Sequence, residues 1–118
     1  MTGRLGEDEL WEGAAEWLAA AEDELRAGRL RVAFESARHA AELAGKARLL
    51  SATGTYPKSH TIASQLHRAG LVPSGVDAKA VHRLLSEFTL GTYGFDRPLA
   101  REDVVAAIAL ARSMLPPA

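Results

Sequence analysis

Residues 30–52 read Leu-Arg-Val-Ala-Phe-Glu-Ser-Ala-Arg-His-Ala-Ala-Glu-Leu-Ala-Gly-Lys-Ala-Arg-Leu-Leu-Ser-Ala, and this stretch decides the fold. Leu30, Phe34, Ala37, Ala41 and Ala44 recur at spacings of three and four, the repeat of one helix face. A second apolar line, Val32, Ala40, Leu43, Ala47 and Leu50, runs beside it with the small Ser36 in register. Only one strip is strongly polar: Arg31, Glu35, Arg38, Glu42 and Lys46, which fall within about 80° of one another at 100° per residue. A helix apolar around most of its girth lies at the centre of a bundle or beneath a second subunit.

Outward from this helix, the same periodicity continues in both directions. Leu10, Ala14, Leu18, Ala21 and Leu25 mark a helix over about residues 7–27, with Glu7, Asp8 and Glu9 in its first turn, where the helix dipole favours negative charge, and Gly28 as its stop. Trp11 and Trp17 are six residues apart, hence on different faces, so at least one meets something beyond the first packing partner. Thr53 to Ser59 reads as a loop. A short helix is expected over about 60–69 with Ile62, Ala63 and Leu66 inward. Gly70 to Gly75, with Pro73 between them, ends it. Ser74 or Asp77 caps the next helix, about 77–90, whose core face is Val81, Leu84, Leu85 and Phe88. Gly91 to Leu99 is a second loop. The last helix, about 100–115, carries Val104, Val105, Ile108, Ala111 and Leu115 and stops at Pro116-Pro117. No strand pattern or repeat is present, and long helices with short connections favour antiparallel neighbours. The expected architecture is a single all-α domain over residues 1–118, an antiparallel up-and-down four-helix bundle with one short additional helix.

Composition limits what such a bundle can do. The chain has 118 residues, which suffices for one domain. With a formal net charge of −1 there is no global field to draw in nucleic acid or an acidic membrane, so any anion site is local. There is no cysteine, which removes disulfide scaffolds, thiolate zinc sites and thiol catalysis. No stretch approaches the roughly 20 apolar residues of a membrane span. The first residues lack the basic-then-apolar order of a signal peptide, and the expected location is cytoplasmic.

Several constellations have two readings. The polar strip offers i,i+4 pairs at Arg31–Glu35, Arg38–Glu42 and Glu42–Lys46. It is either a solvated salt-bridge ladder, each pair contributing about 0.3 kcal/mol, or a polar groove for a phosphate or a partner's charges. Gly45-Lys46 is not a P-loop: the glycine and hydroxyl positions that loop requires are Ala40 and Ala47, inside a helix. The four histidines, His39, His60, His67 and His82, lack the paired Glu-x-x-His motifs of bundle metal sites, and no metal or cofactor is expected. Gly-x-Ser-x-Gly is absent, so no nucleophile elbow is expected. Lys58, His60, His67 and Arg68 form a small basic patch near the first loop. Tyr56 is the local aromatic that a single-stranded nucleic acid would stack on, and a solvated loop accounts for the same residues.

Residues 33–66 add a further signal. Ala41-Glu42, then Lys46 four residues on, then a loop ending in Pro57-x-x-His60 before a short helix, together resemble the HEPN domain family (higher eukaryotes and prokaryotes nucleotide-binding). The Trp17 helix with Asp23-Glu24-Leu25, and the tail Thr92-Tyr93-Gly94 through Arg101-Glu102-Asp103 to Ala111-Arg112, are similar to the family's outer helices. The resemblance implies a helical bundle that is often a homodimer. Family members commonly pair with a minimal nucleotidyltransferase in two-component, toxin–antitoxin-like systems. On that reading, the groove beside the second helix and the Pro57–His60 loop supply the expected site for nucleotide or partner, at Arg38, Glu42, Lys46, Lys58, His60 and Tyr93. There Glu42 orients Lys46, the two lysines meet phosphate oxygens, His60 donates a hydrogen bond and Tyr93 closes one side. The ribonuclease branch carries Arg-x(4–6)-His. No arginine stands five to seven residues before any histidine here, so the resemblance points to a non-catalytic member, with a structural homodimeric adaptor and a diverged ribonuclease as alternatives. Departures from the pattern are His39 where glutamine is common, Gly45 in mid-helix, Arg48 on an apolar line and Thr92 before Tyr93.

Overall fold

The computed structural model describes residues 5–57, 62–86 and 98–116. Among the described residues five helices follow in order: α1 (Glu7–Arg26), α2 (Leu30–Thr53), α3 (Ile62–Arg68), α4 (Ala78–Ser86) and α5 (Arg101–Met114). The fold is the all-α bundle expected, with α2 at its centre, packed against each of the other helices. Residues 58–61 and 87–97 lie outside the described residues, so the expected starts and ends that fall there, including Phe88, carry no structural account. Among the described residues no helix is long and apolar enough to cross a membrane.

Local chemistry sets the helix ends. The Gly6 N–H donates to Glu9 Oε1 at 3.1 Å and the Ala100 N–H to Asp103 Oδ2 at 2.8 Å, so two acidic first-turn residues reach back to satisfy an otherwise unpaired donor. Asp77, rather than Ser74, caps α4, its Oδ1 accepting the Lys79 N–H at 2.9 Å. Gly28 takes φ +79° just past α1. The Arg29 N–H returns to the Glu24 carbonyl at 2.9 Å and the Gly28 N–H to Leu25 at 3.0 Å, the paired bonds that end a helix where a Cβ would be strained. Three residues then suffice to turn the chain, and α1 lies antiparallel along α2.

The core is built from small residues on α2. Ala33, Ala37, Ala40, Ala41, Ala44 and Ala47 are fully buried, and Leu10, Leu66, Val81, Val104 and Met114 are the largest side chains wholly enclosed around them. Two glycines extend the same logic. A Cβ at Gly13 of α1 would stand 2.9 Å from Leu43 Cδ1. One at Gly45 would stand 2.9 Å from Ile62 Cγ2 and 3.1 Å from Leu66 Cδ1. Gly45, unfavourable in a helix interior by up to about 1 kcal/mol, lets α3 lie directly on α2.

Two positions depart from the apolar pattern. Val105, grouped above with the core face of the last helix, is 47% exposed, because Val104 and Ile108 already fill that face. Val32, on the second apolar line of α2, is 49% exposed, whereas Ala40 and Ala47 on the same line are enclosed. Arg48 has a structural role: its Nε donates to the Met114 carbonyl at 2.8 Å, and its guanidinium lies 5.7 Å from the centre of the Trp11 ring.

Candidate functional site

The polar strip of α2 keeps its side chains close together, but it is not a solvated ladder. Arg38 is only 8% exposed. Its guanidinium lies 3.7 Å from Glu35 through Nε and 3.8 Å from Glu42 through Nη1. Lys46 Nζ donates to the other carboxylate oxygen of Glu42 at 3.2 Å. Glu42 therefore sits between two cations, and the Arg38–Glu42 and Glu42–Lys46 pairs form as the spacing requires. Glu35 pairs with Arg38, three residues on, in place of the expected Arg31. Sheltering raises the worth of each contact above that of a surface pair, because fewer water dipoles screen it.

Lys46 also lies 5.9 Å from the centre of the Tyr56 ring. Tyr56 is 5% exposed, so it offers no platform for a stacked base. Its hydroxyl is held at 3.1 Å by both the N–H and the carbonyl of Leu5, which pins the start of the chain to the end of α2. The aromatic face is spent on packing and on Lys46. The structure thus brings Arg38, Glu42 and Lys46 together. Lys58, His60 and Tyr93, the other three residues of the expected site, lie outside the described residues.

The remaining aromatic pair is on the outer side. Trp17 is 41% exposed, and its ring stacks on His39 with centroids 4.8 Å apart, tilted by 33°. Trp11 is half-buried against the core and donates to Glu7 at 3.3 Å. The two tryptophans do face differently, as their spacing requires.

Two grooves flank α4. One, about 470 Å3, is mainly apolar and runs between α4 and α5 over Phe34, with Asp77, Asp103 and Arg83 as its charged lining. The other, about 560 Å3, lies between α3 and α4 and is lined by His67, Arg68, Lys79, His82 and Arg83, with Ala63, Ser64 and Ala78 completing its wall. Among the described residues no carboxylate lines this second groove. Spacing groups His67 and Arg68 with Lys58 and His60, which lie outside the described residues; the fold joins His67 and Arg68 to the cationic face of α4. The i, i+3, i+4 run of Lys79, His82 and Arg83 was the signal available in the sequence, and the turn around Pro73 and Gly75 concealed which helix it would face.

An all-α bundle whose central helix carries Glu42 between two cations, followed by a short helix after Pro57, is the arrangement expected of one helical family. The HEPN domain model matches residues 8–116, and the chain belongs to the HEPN domain family. No curated protein and no solved structure matches the chain.

Proposed function

We propose that this HEPN protein is a non-catalytic binding subunit that takes a nucleotide, a minimal nucleotidyltransferase partner, or both, within a two-component system of the toxin–antitoxin type. Membership of a nucleotide-binding family supports the reading. The observation that carries it is the sheltered charge cluster on α2, in which Glu42 fixes both Arg38 and Lys46 at the margin of the bundle. Fixed charges of both signs at one edge suit recognition of a polar ligand or a partner's charges, since they are already ordered before binding. The lack of an Arg-x(4–6)-His pair accords with a binding role.

Sedimentation of the pure protein, alone and mixed with the product of its neighbouring gene, tests the partner half of the reading. A stable mixed species supports it. Two components that sediment independently, together with no heat on titration with ATP or GTP, exclude it.

A homodimeric adaptor is the second reading, and a specific observation favours it. Trp17, stacked on His39, and Val32 leave large apolar surface exposed on the outer side of the α1–α2 pair. Exposed aromatic surface of this kind is characteristic of association sites. A concentration-independent monomer in sedimentation removes this reading.

A further inference from the structure

We infer that the groove between α3 and α4 binds the phosphate chain of a nucleotide, gripped by Arg68, Lys79 and Arg83. This rests on the nucleotide-binding reading above and relocates the phosphates from the α2 strip to a different face of the molecule.

The first support is how the cations are used elsewhere. Among the described residues, Arg26, Arg29, Arg38, Lys46 and Arg112 each pair with a carboxylate. Arg48 and Arg101 donate to the carbonyls of Met114 and Leu25. The cations left without such a partner are Arg31 and the three that line this groove. Among the described residues, three of the four cations without such a partner are thus collected in one place, in a chain whose formal net charge is −1. The α2 strip is the opposite case, because Lys46 and Arg38 are already neutralised by Glu42 and Glu35.

Folding alone does not account for the arrangement. Lys79 and Arg83 are like charges four apart on one helix, which costs stability. Arg68 and His67 end α3, where the helix dipole favours them. That explanation fails for Lys79, which sits in the first turn of α4, the end at which a cation is unfavourable. Asp77 caps that turn and lines the neighbouring groove with Asp103, and Arg83 borders both grooves; among the described residues no carboxylate lines this one. An anion in the groove would relieve the repulsion and meet the positive end of α4 together.

The lining also indicates which part of the ligand is held. Two guanidiniums supply forked donors suited to phosphate oxygens, and the Lys79 ammonium supplies a mobile point charge. His67, His82 and the Ser64 hydroxyl add hydrogen-bonding groups. Among the described residues no aromatic side chain lines the groove, so its described wall holds the ligand through the phosphates. Affinity therefore resides in the phosphate chain, and ATP and GTP bind alike, within about threefold.

Calorimetric titration of the full chain with inorganic tripolyphosphate, ATP, GTP and adenosine tests this. Tripolyphosphate and both triphosphates are expected to bind, more weakly as salt is raised, and adenosine is expected not to bind. Lys79→Glu/Arg83→Glu should lower affinity by at least about tenfold, with the helical circular dichroism unchanged. Lys79→Arg/Arg83→Lys should retain binding. ATP binding that survives the double reversal but is lost in Lys46→Ala would overturn the groove and leave the nucleotide reading intact. Tripolyphosphate binding at the groove without any ATP or GTP binding would overturn the nucleotide reading and keep the anion site. A marked preference for short RNA over ATP, or no binding of any phosphate, would overturn the proposal.

Discussion

Arg48 of α2 reaches across the bundle to the last helix and holds the Met114 carbonyl with its Nε, at 2.8 Å. One side chain thus does for α5 what a capping residue does elsewhere, satisfying a carbonyl that the helix itself leaves without a donor. It also explains why a charge stands on an apolar line.

Arg48→Met should therefore lower stability by about 1–3 kcal/mol, since it strands a carbonyl and loses the contact with Trp11. Urea unfolding monitored by circular dichroism measures this. Burial lowers the Arg48 pKa from its ordinary value. The folded state then binds this proton less tightly than the unfolded chain does, a cost that is relieved only as pH passes into the strongly alkaline range. Arg48 is accordingly expected to add no slope to stability between pH 5 and 8, and an Arg48-dependent slope in that range would contradict the assignment.

Gly45→Ala and Gly13→Ala should differ in outcome although each new Cβ meets a neighbour at 2.9 Å. At Gly45 the neighbours are Ile62 and Leu66, both buried, and neither can withdraw without moving α3. Overpacking outweighs the gain in helix propensity, for a net loss of about 1–2 kcal/mol. At Gly13 the neighbour is the tip of half-buried Leu43, which can change rotamer, so the variant should lie within about 0.5 kcal/mol of wild type or above it. Paired thermal melts decide between these.

Tyr56→Phe removes the hydroxyl shared by the Leu5 N–H and carbonyl while keeping the ring beneath Lys46. The expected loss is about 1 kcal/mol, with faster amide exchange at Leu5 and little change at the α1–α2 contact.

Glu42→Gln should destabilise by about 1–2 kcal/mol, more than an exposed pair would, because it removes the counter-charge of two sheltered cations together. A double-mutant cycle with Lys46→Gln isolates one of them, and a coupling indistinguishable from zero would show that the strip behaves as open surface.

The helices were legible because their apolar period is unbroken and their ends carry distinct chemistry: Gly28 after α1, Gly54 after α2, acidic residues at the start of α1 and α5. Val105 was misplaced because two adjacent β-branched residues cannot share one helix face, and periodicity alone does not say which is inward. At the candidate site, the Glu42 pairs followed from spacing, whereas their shelter depends on elements distant in sequence. Tyr56 looked like a free aromatic in a polar loop. Its burial depends on Leu5, 51 residues away, which no local pattern encodes. The groove between α3 and α4 was hidden for the same reason: Arg68 and Lys79 belong to different helices, and the turn between them sets how they meet.

The six enclosed alanines of α2 carry a consequence for how this protein can change. A methyl group has no rotamers to lose or rearrange, so the contacts around α2 are made by backbones brought near each other rather than by interlocking side chains. A leucine or phenylalanine in a larger-residue core can be exchanged and its neighbours repacked. An alanine here can be enlarged only by displacing a whole helix. Mutational drift in α2 is thereby confined to its charged edge and its outer line at Val32, and the helix acts as a fixed axle from which the helices packed on it cannot draw away.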